Sequence, residues 1–322
     1  MKPRVSVVMA TYDGGRFVGA AVESVIAQTC PGVELIVCDD GSRDDTRAVL
    51  ATFGERVRVL HQANAGVSAA RNAAAAEAQG EFLAFLDQDD AYEPEMLERQ
   101  LALLATDPDL AFVYADSLVV DQDDRVCGRR GEHLVYASGD VLVPLLAGNF
   151  VPLETLVMRL DLFRALGGFR ADLKLLEDWD LCLRAARRGR AALAEGTLAR
   201  YRIHDANLSH DTEALVREYS KVLDELASDR TLPAHALASV ERERARRHGE
   251  LAWYALKRVD LEEVRAWLAR EPRARKPLKL SLLHAAARVL PVPATRALLR
   301  LLPRKRLYGV SHFPPPGAGG GE

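Results

Sequence analysis

Two short acidic runs, Asp39-Asp40-Gly41-Ser42 and Asp87-Gln88-Asp89-Asp90, each come directly after an apolar run, residues 35–38 and 82–86. Carboxylates crowded at one edge repel each other unless a cation or strong donors sit among them. Hard oxygen ligands select magnesium or manganese, with the remaining positions filled by water and phosphate oxygens. A cation held in this way would neutralise a diphosphate leaving group. The first apolar run, residues 5–9, ends in Ala10-Thr11-Tyr12-Asp13, which offers a hydroxyl and an aromatic face to the same crevice. Asp is also common at strand ends because it accepts local backbone hydrogen bonds, so a purely local role stands beside the metal role for either run. No G-x-x-x-x-G-K-[ST] and no G-x-G-x-x-G follows the first run, so the chain lacks a P-loop and a dinucleotide fingerprint. The site must handle phosphate with metal rather than with a glycine loop.

The elements that would bring these residues together can be read from the hydrophobic pattern. Apolar runs at 5–9, 35–38, 57–60 and 82–86 alternate with segments of helical spacing, the βαβ signature of a mostly parallel, helix-covered sheet. Val18, Val22, Val25 and Ile26 lay one stripe on that sheet, and Ser42 or Asp44 is placed to cap the next helix, which carries Ala48, Val49 and Leu50. Further runs at 110–114, 155–158 and 193–194 extend the sheet, and residues 177–188 read as a helix stopped by Gly189. In open α/β sheets ligands bind beyond the C-terminal ends of the strands, where both acidic runs fall. From Leu215 the pattern becomes helical, and the Pro- and Gly-rich tail after Phe313 reads as disordered.

The ordered set of segments resembles the inverting family 2 glycosyltransferases, which have the GT-A fold. The matching segments are Val5-Ser6-Val7-Val8-Met9-Ala10-Thr11-Tyr12, Glu34-Leu35-Ile36-Val37-Cys38-Asp39-Asp40-Gly41-Ser42 and Asn64-Ala65-Gly66-Val67-Ser68-Ala69-Ala70-Arg71-Asn72. Asp87-Gln88-Asp89 answers to the family's D-x-D. Gly167-Gly168-Phe169, Glu177-Asp178-Trp179-Asp180-Leu181 and Tyr201-Arg202-Ile203-His204 follow in order. The resemblance implies an α/β architecture, a Rossmann-like mixed sheet covered by helices with a mainly helical C-terminal extension. It also implies a nucleotide-sugar donor, with a UDP-sugar favoured, and a saccharide or lipid-linked acceptor. Thr11, Tyr12, Asp39, Asp40, Arg71, Asp87 and Gln88 would surround the donor. Asp89, with Asp87 and His204, would hold Mn2+ or Mg2+. Glu177-Asp178 matches the acidic pair of which one carboxylate, most often the Asp, is the general base. Such a base is required because the acceptor hydroxyl must lose its proton as it attacks the anomeric carbon. A helix N-terminus favours acidic residues and should hold their carboxyls low and ionised. Trp179 reads as core or as a wall on the acceptor side.

The resemblance spans residues 4–209. Residues 1–210 are therefore expected to form the GT-A domain, 211–310 a basic helical region and 311–322 a disordered tail. With 43 Lys and Arg against 46 Asp and Glu, the net charge of −3 gives no global reason to expect nucleic acid. The basic bias is local: the residues 265–306 carry twelve Lys and Arg interleaved with Leu against the single acid Glu271, which suits an anionic membrane surface or a homo-oligomer contact. The four cysteines have no paired spacing, and neither a signal peptide nor a spanning segment is visible, so a cytoplasmic location is expected. The transmembrane helices and Q-x-x-R-W motif of processive relatives are also absent, which implies transfer of single sugars. Two rivals remain. A sugar nucleotidyltransferase would need a Gly-rich basic loop after the first strand, where Arg16 arrives late. A silent nucleotide-sugar binding module would have no need of Asp178.

Overall fold

The computed structural model of the protein describes residues 2–205, 211–258 and 260–270. The described residues up to 205 belong to one compact unit and those from 211 to a second. In the first, β1 (Val5–Thr11), β2 (Val33–Asp39), β3 (Arg58–His61) and β4 (Phe82–Phe85) pair in parallel in the order β3-β2-β1-β4. Three helices connect them: α1 (Val18–Ile26), α2 (Thr46–Ala51) and α3 (Val67–Ala76). Parallel strands joined by helical crossovers are buried on both faces, and β1 and β4 are accordingly buried along their whole length.

Past β4 the sheet becomes mixed. β8 (Val157–Arg159) lies antiparallel between β4 and β6 (Leu110–Val120), while β9 (Arg190–Arg202) runs parallel to β6 and takes β5 (Ala91–Tyr92) as its antiparallel edge. A hairpin strand, β7 (Val126–Arg129), pairs with β6 off this path. The mixed sheet agrees with the expected fold class. The expected run at 110–114 extends to Val120 because β9 supplies a partner along almost all of β6. Among the helices of this half, α4 (Met96–Thr106) buries Met96, Leu97, Leu101 and Leu104, and α5 (Leu142–Ala147) and α6 (Leu160–Ala165) are short. The last, α7 (Glu177–Ala186), opens on the acidic pair.

Two local expectations need correction. Ile26 ends α1 exposed, outside the buried stripe of Val18, Ala21, Val22 and Val25, because the chain leaves the sheet there. Of the two expected caps of α2, Asp44 does bond the helix end, its carboxylate accepting from the Thr46 amide at 3.0 Å although Asp45 occupies the capping position, whereas the Ser42 hydroxyl accepts from the Asp13 amide and fastens the loop after β1.

The loop into α3 shows how tightly the strand ends are tied. Asp40 is buried, and its carboxylate accepts from Gln62 Nε2 at 2.7 Å and from the Ala65 and Gly66 amides, both at 2.8 Å. Gly41 turns the chain at φ 85°, and a Cβ there would lie 3.1 Å from the Asn64 nitrogen, so the close approach requires glycine. Replacing Asp40 with Ala orphans two amides and is expected to lower unfolding free energy by about 2–3 kcal/mol, read as a lower thermal midpoint.

The second unit contains α8 (Thr212–Ala227), α9 (Ala234–Lys257) and α10 (Leu261–Ala269), with Ala252, Ala255, Leu256 and Val264 clustered in its core. Asp211 and Asp260 cap α8 and α10 by accepting from the Ala214 and Glu263 amides. Most of the basic stretch 265–306 and all of the 311–322 tail lie outside the described residues. Among the described residues no helix is long and apolar enough to cross a membrane.

Candidate functional site

Because β1, β2 and β4 are parallel and adjacent, Thr11, Asp39 and the run 87–90 emerge at one rim. Gln88 fastens that rim: its Oε1 accepts from the Thr11 hydroxyl at 2.6 Å and the Tyr12 amide at 2.9 Å, and its Nε2 donates to the Tyr12 carbonyl. Tyr12 stands exposed above it. Asp39 is fully buried and accepts from the Ser42 amide, Arg47 Nε and His61 Nδ1 at 2.8, 2.5 and 3.1 Å. Burial alone would raise its proton affinity, but these donors hold the carboxyl down at about 2. Asp39 and Asp40, both read as donor-binding, thus have protein partners on their carboxylates and shape the rim from beneath.

Arg71, one turn into α3, is buried at the centre of the site. Its Nη1 donates to Glu177 Oε1 at 2.6 Å and its Nη2 to Asp87, so one guanidinium joins the end of β4 to the start of α7. Its guanidinium lies 5.5 Å from the Phe169 ring centroid. Asn72 grips the backbone of Phe169 at both its N–H and its C=O, 2.9 and 2.8 Å, and so fixes that ring. Desolvation works against the Arg71 charge, yet the two carboxylates outweigh it and its affinity for the proton rises.

On the other side of the rim, Asp89 meets His204 across 2.8 Å between Oδ2 and Nε2. The imidazole stacks on Phe17 with centroids 5.1 Å apart, and Arg202 closes the opposite flank by donating from Nε to the Asp89 carbonyl and from its amide to Asp90. Asp90 is buried, and desolvation together with the nearby Asp89, Glu154 and Asp87 pushes its carboxyl well above the usual range. Among the described residues no three His, Cys, Asp or Glu side chains converge on a metal position. The pair Asp89 and His204 nevertheless offers a carboxylate oxygen and an imidazole nitrogen at hydrogen-bond separation. Such a donor set fits Mn2+ or Mg2+ when phosphate oxygens and water fill the remaining positions. Asp87 borders the pair but is engaged by Arg71.

Asp178 occupies the first turn of α7. Its Oδ2 accepts from Asn149 Nδ2 at 2.9 Å and its Oδ1 from the Trp179 amide at 2.6 Å. Desolvation first, and the Glu177 charge second, raise its carboxyl to about 7, against the lowering pull of the Trp179 amide, Arg71 and Asn149. The expectation that the helix end would hold this group low is therefore overturned. A helix terminus contributes typically ~0.3–1 kcal/mol, less than burial next to a second carboxylate. Trp179 is core, fully buried with its indole N–H donating to the Leu145 carbonyl. Asp180 pairs with Arg184 at 2.7 Å.

Glu177, Arg71 and Asp87 are thus joined in one chain of contacts beside Asp178, and Asp89 and His204 form a second pair. Thr11 and Gln88 join the ends of β1 and β4. No sequence pattern points to Asn149 or Phe17, whose contacts lie 29 residues away in the first case and across the rim in the second. Arg202 was flagged by its segment but without a role.

Residues 6–146 match the family model described as Glycosyl transferase family 2. An uncharacterized glycosyltransferase of Rickettsia prowazekii (strain Madrid E) is 27% identical over 67% of this chain and 69% of its own. Among solved structures, S. aureus TarS 1-349 in complex with UDP-GlcNAc superposes with a TM-score of 0.67 at 18% identity, covering 92% of this chain and 90% of that one. The mannosyltransferase PcManGT from Pyrobaculum calidifontis in complex with GDP-Man and Mn2+ gives 0.61 at 19% identity, covering 93% and 84%. The architecture is that of GT-A structures such as TarS, and residues 6–146 are similar to family 2 glycosyltransferases.

Proposed function

We propose that this chain, whose residues 6–146 carry the family 2 glycosyltransferase match, is an inverting, non-processive enzyme. It moves one sugar from a nucleotide-sugar, with a UDP-sugar favoured, to an acceptor hydroxyl on a saccharide or lipid-linked glycan. The observation that carries the proposal is the pairing of a proton-avid carboxylate, Asp178, with an acidic rim at the strand ends, the two sides joined by Arg71. Structural neighbours bound to UDP-GlcNAc and to GDP-Man with Mn2+ support the donor class.

Asp178 takes the proton of the acceptor hydroxyl as its oxygen bonds to the anomeric carbon, and the bond from that carbon to the diphosphate breaks on the opposite face. Asn149 and the Trp179 amide orient the carboxylate. Thr11 and Tyr12, held by Gln88, border the donor, while Asp39 and Asp40 keep the walls of its pocket in place. Asp89 and His204, with Asp87 beside them, would hold Mn2+ or Mg2+, which when bound neutralises charge on the departing diphosphate.

A thermal-shift screen of UDP-, GDP- and dTDP-sugars, with and without Mn2+, tests this on wild type and on Asp89→Ala. A ligand at about 100 times its Kd adds about 2.7 kcal/mol to the folded state, a shift of several degrees. One donor class is expected to raise the midpoint in the presence of metal, and Asp89→Ala to lose that rise. If no donor shifts the wild type under any condition, the proposal fails.

A further inference from the structure

Glu177 and Asp178 are consecutive, yet the fold treats them differently. The Glu177 side chain is 8% exposed, its Oε1 is taken by Arg71, and its Oε2 is buried without a hydrogen-bond partner among the described residues. No oxygen of Glu177 is therefore presented to an incoming hydroxyl. Asp178 is half-buried, and it is oriented by Asn149, which follows α5, and by its neighbour's amide. Resting on the transferase proposal with Asp178 as base, we propose that Glu177 is a positioning residue. Pinned by Arg71, its fixed charge governs when Asp178 releases its proton, and Glu177 itself takes none from the acceptor.

The charge count gives the physical reason. Three carboxylates, Asp87, Glu177 and Asp178, are grouped around a single guanidinium that bonds directly to the first two. Ionising all three would leave two uncompensated negative charges in a desolvated region, so the carboxyl without its own cation keeps its proton longest. That carboxyl is Asp178. The charged or titratable groups facing it are Glu177 and the buried Cys182 thiol on α7 and Arg71 on α3, while the segment after α5 contributes the neutral Asn149 amide. Since the thiol's own proton affinity is raised well above the usual range, Glu177 is the negative group that acts most strongly on Asp178.

The test follows the Asp178 carboxyl by 13C NMR in protein labelled at the Asp side-chain carbons, alongside the pH profile of sugar transfer, in wild type, Glu177→Gln and Glu177→Asp. Removing the charge in Glu177→Gln is expected to lower the Asp178 midpoint by about one pH unit or more and to carry the acidic limb of the rate down with it. Turnover on the plateau should stay within about tenfold of wild type, a loss far short of that for removing a base. Glu177→Asp keeps the charge and should leave the midpoint near that of wild type. A Gln variant inactive at every pH with an unmoved midpoint would make Glu177 the base and overturn the inference. An unmoved midpoint with activity retained would also overturn it, since the ion pair would then be merely structural. If the Gln variant does not fold, Arg71→Lys decides: a looser hold on Glu177 should move the midpoint up, and no movement overturns the inference. The NMR titration needs no donor, so a wild type that transfers no sugar would sink the transferase proposal while the midpoints still decide this one.

Discussion

Asp178→Asn is expected to lower kcat by about 10²–10⁴-fold, the range by which a positioned general base accelerates proton transfer. Donor affinity should change little, because Asp178 is held by Asn149 and the Trp179 amide rather than by the donor rim. In the wild type the base works only when deprotonated. With its carboxyl raised to about 7, the rate should rise with pH through that value and then level off. Stability should run the other way. The folded state holds a proton on Asp178 between the ordinary value of 3.8 and about 7 that the unfolded chain has released, so this residue's contribution to stability falls as pH rises through that window. Above it, Asp178→Asn removes a strained charge and should be more stable than wild type by on the order of 1–2 kcal/mol. Steady-state rates and calorimetry from about pH 5 to about pH 9, on either side of the Asp178 value of about 7, would test both signs. A profile flat across neutrality in the wild type would remove Asp178 as the base.

Arg71→Met should be the most destabilising single change at the site. It leaves Glu177 and Asp87 without the cation they share, and breaking a buried ion pair from one side costs about 3–5 kcal/mol. For a unit of this size that corresponds to a fall of roughly 6–20 °C in the thermal midpoint. Arg71→Lys is expected to recover part of this loss, because one ammonium cannot fork between carboxylates arriving from β4 and α7. A calorimetric midpoint for Arg71→Met equal to that of wild type would mean that the guanidinium contributes nothing to holding the two elements together.

The acidic rim was legible because sheet topology is legible. β-branched runs at regular spacing imply parallel strands with crossover helices, and that connectivity places the strand ends side by side whatever the details of packing. Asp39, Asp40, Asp87 and Asp89 were picked out by that logic, and all four lie at the expected edge. Their partners were not legible. Asp40 spends its carboxylate on amides of the loop at residues 65–66, and Asp39 on Arg47 of α2 and His61 of β3, bonds between segments that no local pattern brings together. The run at 155–158 reads as a strand, but its antiparallel place as β8 between β4 and β6 was hidden, since three residues carry no signal of partner or direction.

The sequence by itself determined the class of sheet, the edge at which the chemistry gathers and the residue types present there, because alternation of apolar runs with acidic turns is a local property of the chain. Only the tertiary structure decided how the charges divide. Whether a carboxylate is a fastener, half of an ion pair or a proton acceptor depends on which distant group faces it and how much water remains. Glu177 and Asp178, adjacent in the chain, differ because Arg71 reaches one and Asn149 the other. Desolvation and the neighbouring charge then overrode the helix end, which was all that local sequence could offer.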